Sequence, residues 1–478
     1  MAVCFVANQH KTIFYREVAR RIEARGERVV WISPSRRWRN YLVDAGVRPG
    51  AILCMADHYD IWRTGPELTA DDEARLARME AGSGHTVSSL ILMDRLLQRR
   101  PQAYARAYAA LAARLVEAFL DQHGVEVAFG EGTWMLEMVT AALCTASGRT
   151  YSVPSTIRIP STRFAFYDGI LCSRVIELAK PTDEHRDMAR SLIAGLEAGA
   201  VKPHYMAQSA KLAGFRRHWW DEAAVGLLSP ELNKGDETVP PLVGRAAGRL
   251  RQFRRVRMAR GRAAEWFEPV PASPRKPFVL VLLHKQPEAS IDVLGYRFNN
   301  QLETLRALTK IMPAGHELYI KEHTVAIGDR TPDFYRQIRA LPNARLIAPD
   351  AHTMSLILEA RLTVTTSGTA AFEAGLIGRP AATFASTYFG PVLTANGLNP
   401  YEISEGDFRR MLESPQIPDA ATREAFLAWL IAQSFEGRYV DSVSDPAALE
   451  DENLAIVGGA CLEVLSAWRK QRKLPLAS

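Results

Sequence analysis

At 478 residues the chain is too long for one hydrophobic core and ample for two. Hydrophobic residues make up 47% of it and charged residues 23%, a balance that excludes a disordered or collagen-like chain. Lys and Arg number 59 against 53 Asp and Glu, a net charge of +6. Eight arginines (Arg245, Arg249, Arg251, Arg254, Arg255, Arg257, Arg260 and Arg262) fall between Gly244 and Arg262 with no acid among them, and removing those eight leaves the rest of the chain at −2. The basic character therefore belongs to a segment and not to the body of the protein. No apolar run approaches the roughly 18 to 20 residues of a membrane helix. Met1 to His10 lacks the basic and apolar regions of a secretion signal, so a cytoplasmic location is expected. The five cysteines, Cys4, Cys54, Cys144, Cys172 and Cys461, are scattered without a Cys-x-x-Cys pair and read as thiols in a reducing compartment.

In chain order, Ala2 to Ala7 reads as a strand. A polar loop (Asn8, Gln9, His10, Lys11) follows, then a helix with Ile13, Val18 and Ile22 on one face that Gly26 stops, then a strand from Arg28 to Ile32. Strand, helix, strand in this span opens a parallel α/β fold. A helix over Pro101 to Gln122 leads to a strand at Val125 to Phe129 and then to Gly130-Glu131-Gly132, placing Glu131 at a carboxyl strand end, where open α/β sheets bind ligands. From about Leu228 to Pro277 the pattern dissolves into Pro, Gly and Arg, read as an interdomain connection.

A second α/β series starts with the strand Phe278 to Leu283. Helices are expected near Gln301 to Ile311, Pro332 to Leu341, Thr353 to Glu359 and Ala370 to Ile377. Strands are expected at Glu317 to Lys321, Arg345 to Ile347 and Leu362 to Thr365. The expected architecture is α/β, with two Rossmann-like domains facing across a cleft: 1–240, an Arg-rich linker over 241–276, and 277–478.

The strongest local signal is the run from Thr365 to Glu373, between a buried strand and a helix. Ser367, Gly368 and Thr369 suit the approach of a phosphate to backbone N–H groups at a helix N-terminus. Glu373, one turn deeper on the face of Thr369, suits the hydroxyls of a ribose. Two more loops fall at equivalent positions: His284, Lys285, Gln286 and Glu288 after the first strand of this half, and Lys321 and His323 after the strand at Glu317. Three polar loops in register can converge on one crevice.

These residues resemble a known family. The run from Leu282 to Phe384, with LLHKQPEAS, YIKEH, TTSGTAAFEAG and IGRPAATF, looks like the bacterial capsule and surface-polysaccharide biosynthesis proteins, GT-B glycosyltransferases related to the capsular Kdo transferases. In the first half, GEGTW and the stretch Pro154 to Gly169 fit the same family. The resemblance implies a nucleotide-sugar donor in the C-terminal half, a glycan or glycolipid acceptor in the N-terminal half, and no obligatory metal or cofactor. It departs at His323, which Thr324 follows where the family usually has proline. Independently of the family, the sequence contains no Asp-x-Asp, the pair with which many transferases hold a divalent ion. Donor phosphate would then be met by Lys285, Lys321, His323 and helix ends.

Inverting transfer needs a group that accepts the proton of the attacking hydroxyl. Glu131 is the leading base, its flanking glycines leaving room for a sugar, and it resembles the acidic-residue-Gly motif of sialyl- and Kdo-type transferases. His10 and Glu288 are the alternatives. Arg158 and Arg163 suit an anionic acceptor or the carboxylate of an ulosonic acid. The arginine window and the segment from Trp468 to Lys473 suit peripheral contact with an anionic membrane. No nucleic-acid motif is present and no nucleic-acid partner is expected. The function expected is transfer of a sugar from a cytidine monophosphate-Kdo-like or uridine diphosphate-sugar donor. The alternatives are a glycerophosphotransferase on the same fold and a non-enzymatic binder of anionic lipid or nucleic acid.

Overall fold

The computed structural model describes residues 2–199, 230–239, 242–271 and 276–473. Within the expected connection, 228–229, 240–241 and 272–275 lie outside the described residues. Two compact units form, each around its own Rossmann-like sheet. The first takes in residues 2–180, 230–239, 242 and 430–473; the second takes in 181–199, 243–271 and 276–429.

The first sheet has seven strands: β1 (Ala2–Val6), β2 (Val29–Ser33), β3 (Ile52–Cys54), β4 (Val125–Phe129), β5 (Thr150–Thr156), β6 (Arg163–Asp168) and β13 (Ser434–Glu436), in the order β13-β6-β5-β4-β1-β2-β3. Strands β1 to β5 pair in parallel, while β6 runs antiparallel to both β5 and β13. The second sheet is parallel throughout. Its strands are β7 (Phe278–Leu282), β8 (Glu317–Lys321), β9 (Ala344–Ile347), β10 (Leu362–Thr365), β11 (Ala381–Thr383) and β12 (Ala395–Asn396), in the order β12-β11-β10-β7-β8-β9. Runs such as AVCFV and FVLVL are apolar at every position because helices cover both faces of a parallel sheet.

The division departs from the linear split expected at 240 and 277, because the chain returns to its first unit at the end. The final helix, Asp451–Lys473, sets Leu454, Val457, Cys461, Val464 and Leu465 into the core that Phe14, Val18 and Ile22 of the first helix, Lys11–Glu23, also fill. Gly458 allows this approach: a Cβ there would lie 2.7 Å from the Cβ of Arg21. Arg469 donates to Glu27 and to Glu126, a carboxylate of β4 that is otherwise buried, with Nη2 2.6 Å from Glu126 Oε2. Arg472 lies over the Trp468 ring and donates to the Gly148 carbonyl. In this basic tail, read from the sequence as a membrane contact, two arginines are thus committed to the first unit.

The arginine window is likewise no open connection. It forms the helix Leu242–Gly261, and Ala259, Trp266 and Phe267 enter the second core, where Trp266 stacks on Tyr335 at 4.9 Å. No helix among the described residues is long and apolar enough to cross a membrane.

Both sheets reverse their winding at one place. In the first, the chain runs from β1 outward to β2 and β3, then returns to build β4 and β5 on the other side. In the second, it runs from β7 to β8 and β9, then returns to build β10, β11 and β12. At such a point the helices after the two central strands pack on opposite faces, and a crevice opens between the loops at their carboxyl ends. The first crevice lies between the loops after β1 and β4, the second between those after β7 and β10.

Candidate functional site

In the first unit, the loop after β1 supplies Asn8, the helix that follows it begins with Lys11, and the loop after β4 supplies Glu131. Lys11 Nζ pairs with Glu131 Oε1, and Asn8 Nδ2 donates to Glu131 Oε2 at 3.0 Å. The same Asn8 nitrogen donates to Oε1 of Glu137, also at 3.0 Å. Glu137 is buried; its Oε1 accepts the Glu131 N–H at 3.0 Å, and its Oε2 accepts the N–H groups of Thr133 and Trp134. It therefore closes the start of the helix Met135–Ala146 and fixes the backbone that carries Glu131. Burial, and secondarily the charge of Glu131, raises the Glu137 pKa. The Lys11 ammonium also sits over the ring of Tyr439, 4.6 Å from its centroid. Glu131 itself is 30% exposed, so its carboxylate is anchored yet reachable.

The flanking glycines make room for neighbouring side chains. A Cβ at Gly130 would strike the Tyr151 hydroxyl, which donates to the Glu131 carbonyl at 2.7 Å, and one at Gly132 would lie 3.0 Å from Ile170 Cβ. Arg163 is also reassigned. It donates to the Ser434 hydroxyl at 2.8 Å and carbonyl at 2.6 Å, a clasp that joins β6 to β13. Arg158 has left-handed backbone, φ 73°, in the connection between β5 and β6. His10 immediately precedes the first helix and meets Trp38 edge-on, with ring centroids 5.4 Å apart.

In the second unit, His284 follows β7 and Ser367 follows β10. His284 Nε2 accepts the Ser367 N–H at 3.3 Å, which requires that nitrogen to be unprotonated. Gly368 comes so near that a Cβ there would lie 3.3 Å from His284 Cε1. The helix Thr369–Leu376 begins here with no side-chain cap: Ser367 Oγ donates to the Ser290 carbonyl at 2.6 Å, and Thr365 Oγ1 accepts the Gly368 N–H at 2.8 Å. Glu373, one turn further on, is 5% exposed and its Oε1 has no hydrogen-bond partner. Burial alone pushes its pKa up to about 7.

The third loop, after β8, is tied to the first by a residue that sequence reasoning passed over. Arg330 donates to the fully buried Glu322 at 2.7 Å and to the His284 carbonyl at 2.5 Å. Burial raises the Glu322 pKa despite that arginine. His323 is held below its ordinary pKa by burial first, then by the charges of Lys321, Lys285 and Arg330, so positive potential gathers at this loop. Lys321 is buried and gives one N–H to the Pro349 carbonyl at 2.8 Å. Gln286 donates to Asp292 at 2.7 Å, and the Glu288 N–H donates to the same carboxylate at 2.9 Å, so Asp292 shapes this loop from within. Among the described residues no group of three or more His, Cys, Asp or Glu is placed to hold a metal ion.

No family model matches the sequence, and no curated protein matches it. Solved structures do align. The β-Kdo 2,7 transferase of KpsC from Thermosulfurimonas dismutans aligns at 13% identity over 74% of this chain and 89% of its own, with a TM-score of 0.32. The β-Kdo 2,4 transferase of KpsC from the same organism aligns at 14% identity over 71% and 88%, with a TM-score of 0.31. The UDP-GlcNAc 2-epimerase of Neisseria meningitidis aligns at 10% identity over 98% and 100%, with a TM-score of 0.23. Superpositions this loose leave activity to be argued from the chain's own residues.

Of the expected donor residues, the structure brings His284, Ser367 and Gly368 into contact. The charges of Lys285 and Lys321 act on His323, and Glu373 stays one helical turn below Thr369. Asn8, Lys11, Glu137 and Arg330 were missed. One signal was readable for Glu137, the single charged residue in an otherwise apolar or small-residue helix, MLEMVTAALCTA. For Asn8 and Lys11, only their place in the loop after the first strand pointed to a site.

Proposed function

We propose that the chain is a glycosyltransferase whose second unit binds the nucleotide of an activated sugar and whose first unit supplies the base, Glu131. The observation that carries this reading is Glu373. A buried carboxylate with a vacant oxygen costs stability unless a ligand completes it, and this one lies one turn below an uncapped helix N-terminus at a switch point. A nucleotide meets both features at once: phosphate at the N–H groups of the helix start and ribose hydroxyls donating to Glu373. Lys285 and the cationic loop at His323 add positive charge for the leaving phosphate.

In the proposed reaction an acceptor hydroxyl attacks the anomeric carbon and the bond from that carbon to the donor phosphate oxygen breaks. Its electron pair leaves with the nucleotide, and the hydroxyl proton passes to Glu131. Asn8 and Lys11 hold that carboxylate, each oxygen keeping a lone pair for the incoming proton. The donors that suit the site are a cytidine monophosphate-activated ulosonic acid or a uridine diphosphate sugar, with a surface glycan or glycolipid as acceptor. Calorimetry with cytidine and uridine nucleotides tests the placement. Glu373→Gln should weaken binding by about 1.5 to 3 kcal/mol, the scale of hydrogen bonds to a charged group, and unchanged affinity in a folded variant would refute it.

A further inference from the structure

The arginine-rich helix takes no part in either crevice as described. Its turns toward Gly261 show two different sides. Ala259 is buried in the second core, and Val256 meets the backbone at Gly328, where a Cβ would lie 2.6 Å from Val256 Cα. At 3.6 residues per turn, Phe253, Arg257, Arg254, Met258 and Arg255 follow one another around the opposite side, spanning about 200°. All five are exposed, Phe253 at 67% and Met258 at 41%. A helix start or a structural linker explains the arginines as solvated charge, but it does not explain a phenylalanine and a methionine standing in water between them.

We infer that this side of the helix rests on an anionic lipid bilayer. Arg254, Arg255 and Arg257 would meet headgroup phosphates, while Phe253 and Met258 would enter the boundary between headgroups and acyl chains. Charge complementarity carries the choice of occupant: no acid interrupts the sequence from Gly244 to Arg262, and a leaflet rich in acidic lipid offers a continuous negative surface to all three arginines together. The apolar pair favours lipid over a polyanion such as nucleic acid, whose backbone would engage the arginines and leave Met258 without a partner. The contact is reversible, because two apolar side chains bury far less surface than a spanning helix. It does not depend on the nucleotide reading, since none of these residues belongs to the donor loops.

Sedimentation of the full chain with vesicles of phosphatidylglycerol and phosphatidylcholine, against vesicles of phosphatidylcholine alone, tests the inference. Binding should require the anionic lipid and weaken as salt is added. Arg254→Glu with Arg257→Glu should reduce it by roughly tenfold or more, and Phe253→Ser should reduce it with every charge kept. The circular dichroism spectrum and thermal transition should stay the same in all variants, which shows that they fold. Equal binding to both vesicle types, no loss in the variants, or binding to single-stranded DNA that is tighter than to vesicles and insensitive to Phe253→Ser would each overturn the inference.

Discussion

Two carboxylates decide most of what individual residues can be asked. Glu373 titrates at about 7 in the folded chain, above its ordinary 4.5. A raised acid holds its proton more tightly when folded, so between these values the folded state binds the proton and the unfolded state does not. Stability therefore falls as pH rises from 4.5 to 7, and the whole cost is present above 7. Glu373→Gln should raise stability by roughly 2 to 3 kcal/mol at alkaline pH and by little at pH near 4.5; denaturant titrations at the two pH values measure this. A variant that gains stability while losing nucleotide affinity marks a residue kept for binding. Loss of stability at alkaline pH would show instead that Glu373 has a structural partner.

Glu131 is anchored differently, by Lys11 and Asn8. Glu131→Gln keeps the shape and the Asn8 contact to the side-chain oxygen while removing the proton acceptor. Turnover should drop by about 10² to 10⁴, with donor affinity unchanged because the proposed nucleotide site lies in the other unit. Near-normal turnover would move the role to His10, in the neighbouring loop, and Glu288 would follow as the candidate from the donor unit. Transfer should also survive excess chelator, given the missing Asp-x-Asp; an absolute requirement for added magnesium or manganese would contradict that expectation.

At the scale of elements, the informative contact is between the final helix and the first sheet. Glu126 sits in β4, where each neighbour is apolar, and Arg469 answers its charge from far along the chain. Removing one partner of such a pair leaves a buried charge uncompensated, which costs more than the pair itself contributes. Arg469→Ala should therefore lower stability by roughly 2 to 4 kcal/mol. Adding Glu126→Gln should restore part of that loss, as a double-mutant cycle by denaturant titration would show.

For the whole molecule, the consequence is that the two ends of the chain belong to one folding unit. A chain ending at Trp429 would uncover Phe14, Val18 and Ile22 and strip β6 of its partner β13. Calorimetry of such a chain should show the transition of the first unit lost or moved far down in temperature. The second unit, whose core draws nothing from residues 430–473, should still melt cooperatively and still bind nucleotide. Loss of both transitions would mean that the units do not fold independently.

Local pattern alone determined a good deal. Apolar runs of five residues bounded by polar loops identify β1 and β7, since a strand covered on both faces is apolar at every position unless a partner answers its charge. Helical spacing and the stop at Gly378 placed Thr369–Leu376, and with it the donor loop and Glu373. These are short-range rules, and they survive folding because nothing distant competes with them.

Tertiary structure decided what depends on partners far away in sequence. Strand order brings His284 to Ser367 across 83 residues and Asn8 to Glu137 across 129; no local rule says which strands are neighbours. The glycines beside Glu131 turned out to make way for Tyr151 and Ile170, and Arg163 turned out to clasp Ser434, because packing claims any donor or gap it can reach. The arginine window reads as a linker by composition and is a helix whose Ala259 enters the second core. Burial, which comes from the fold and not from residue type, is also what separates a surface glutamate from the partnerless carboxylate of Glu373.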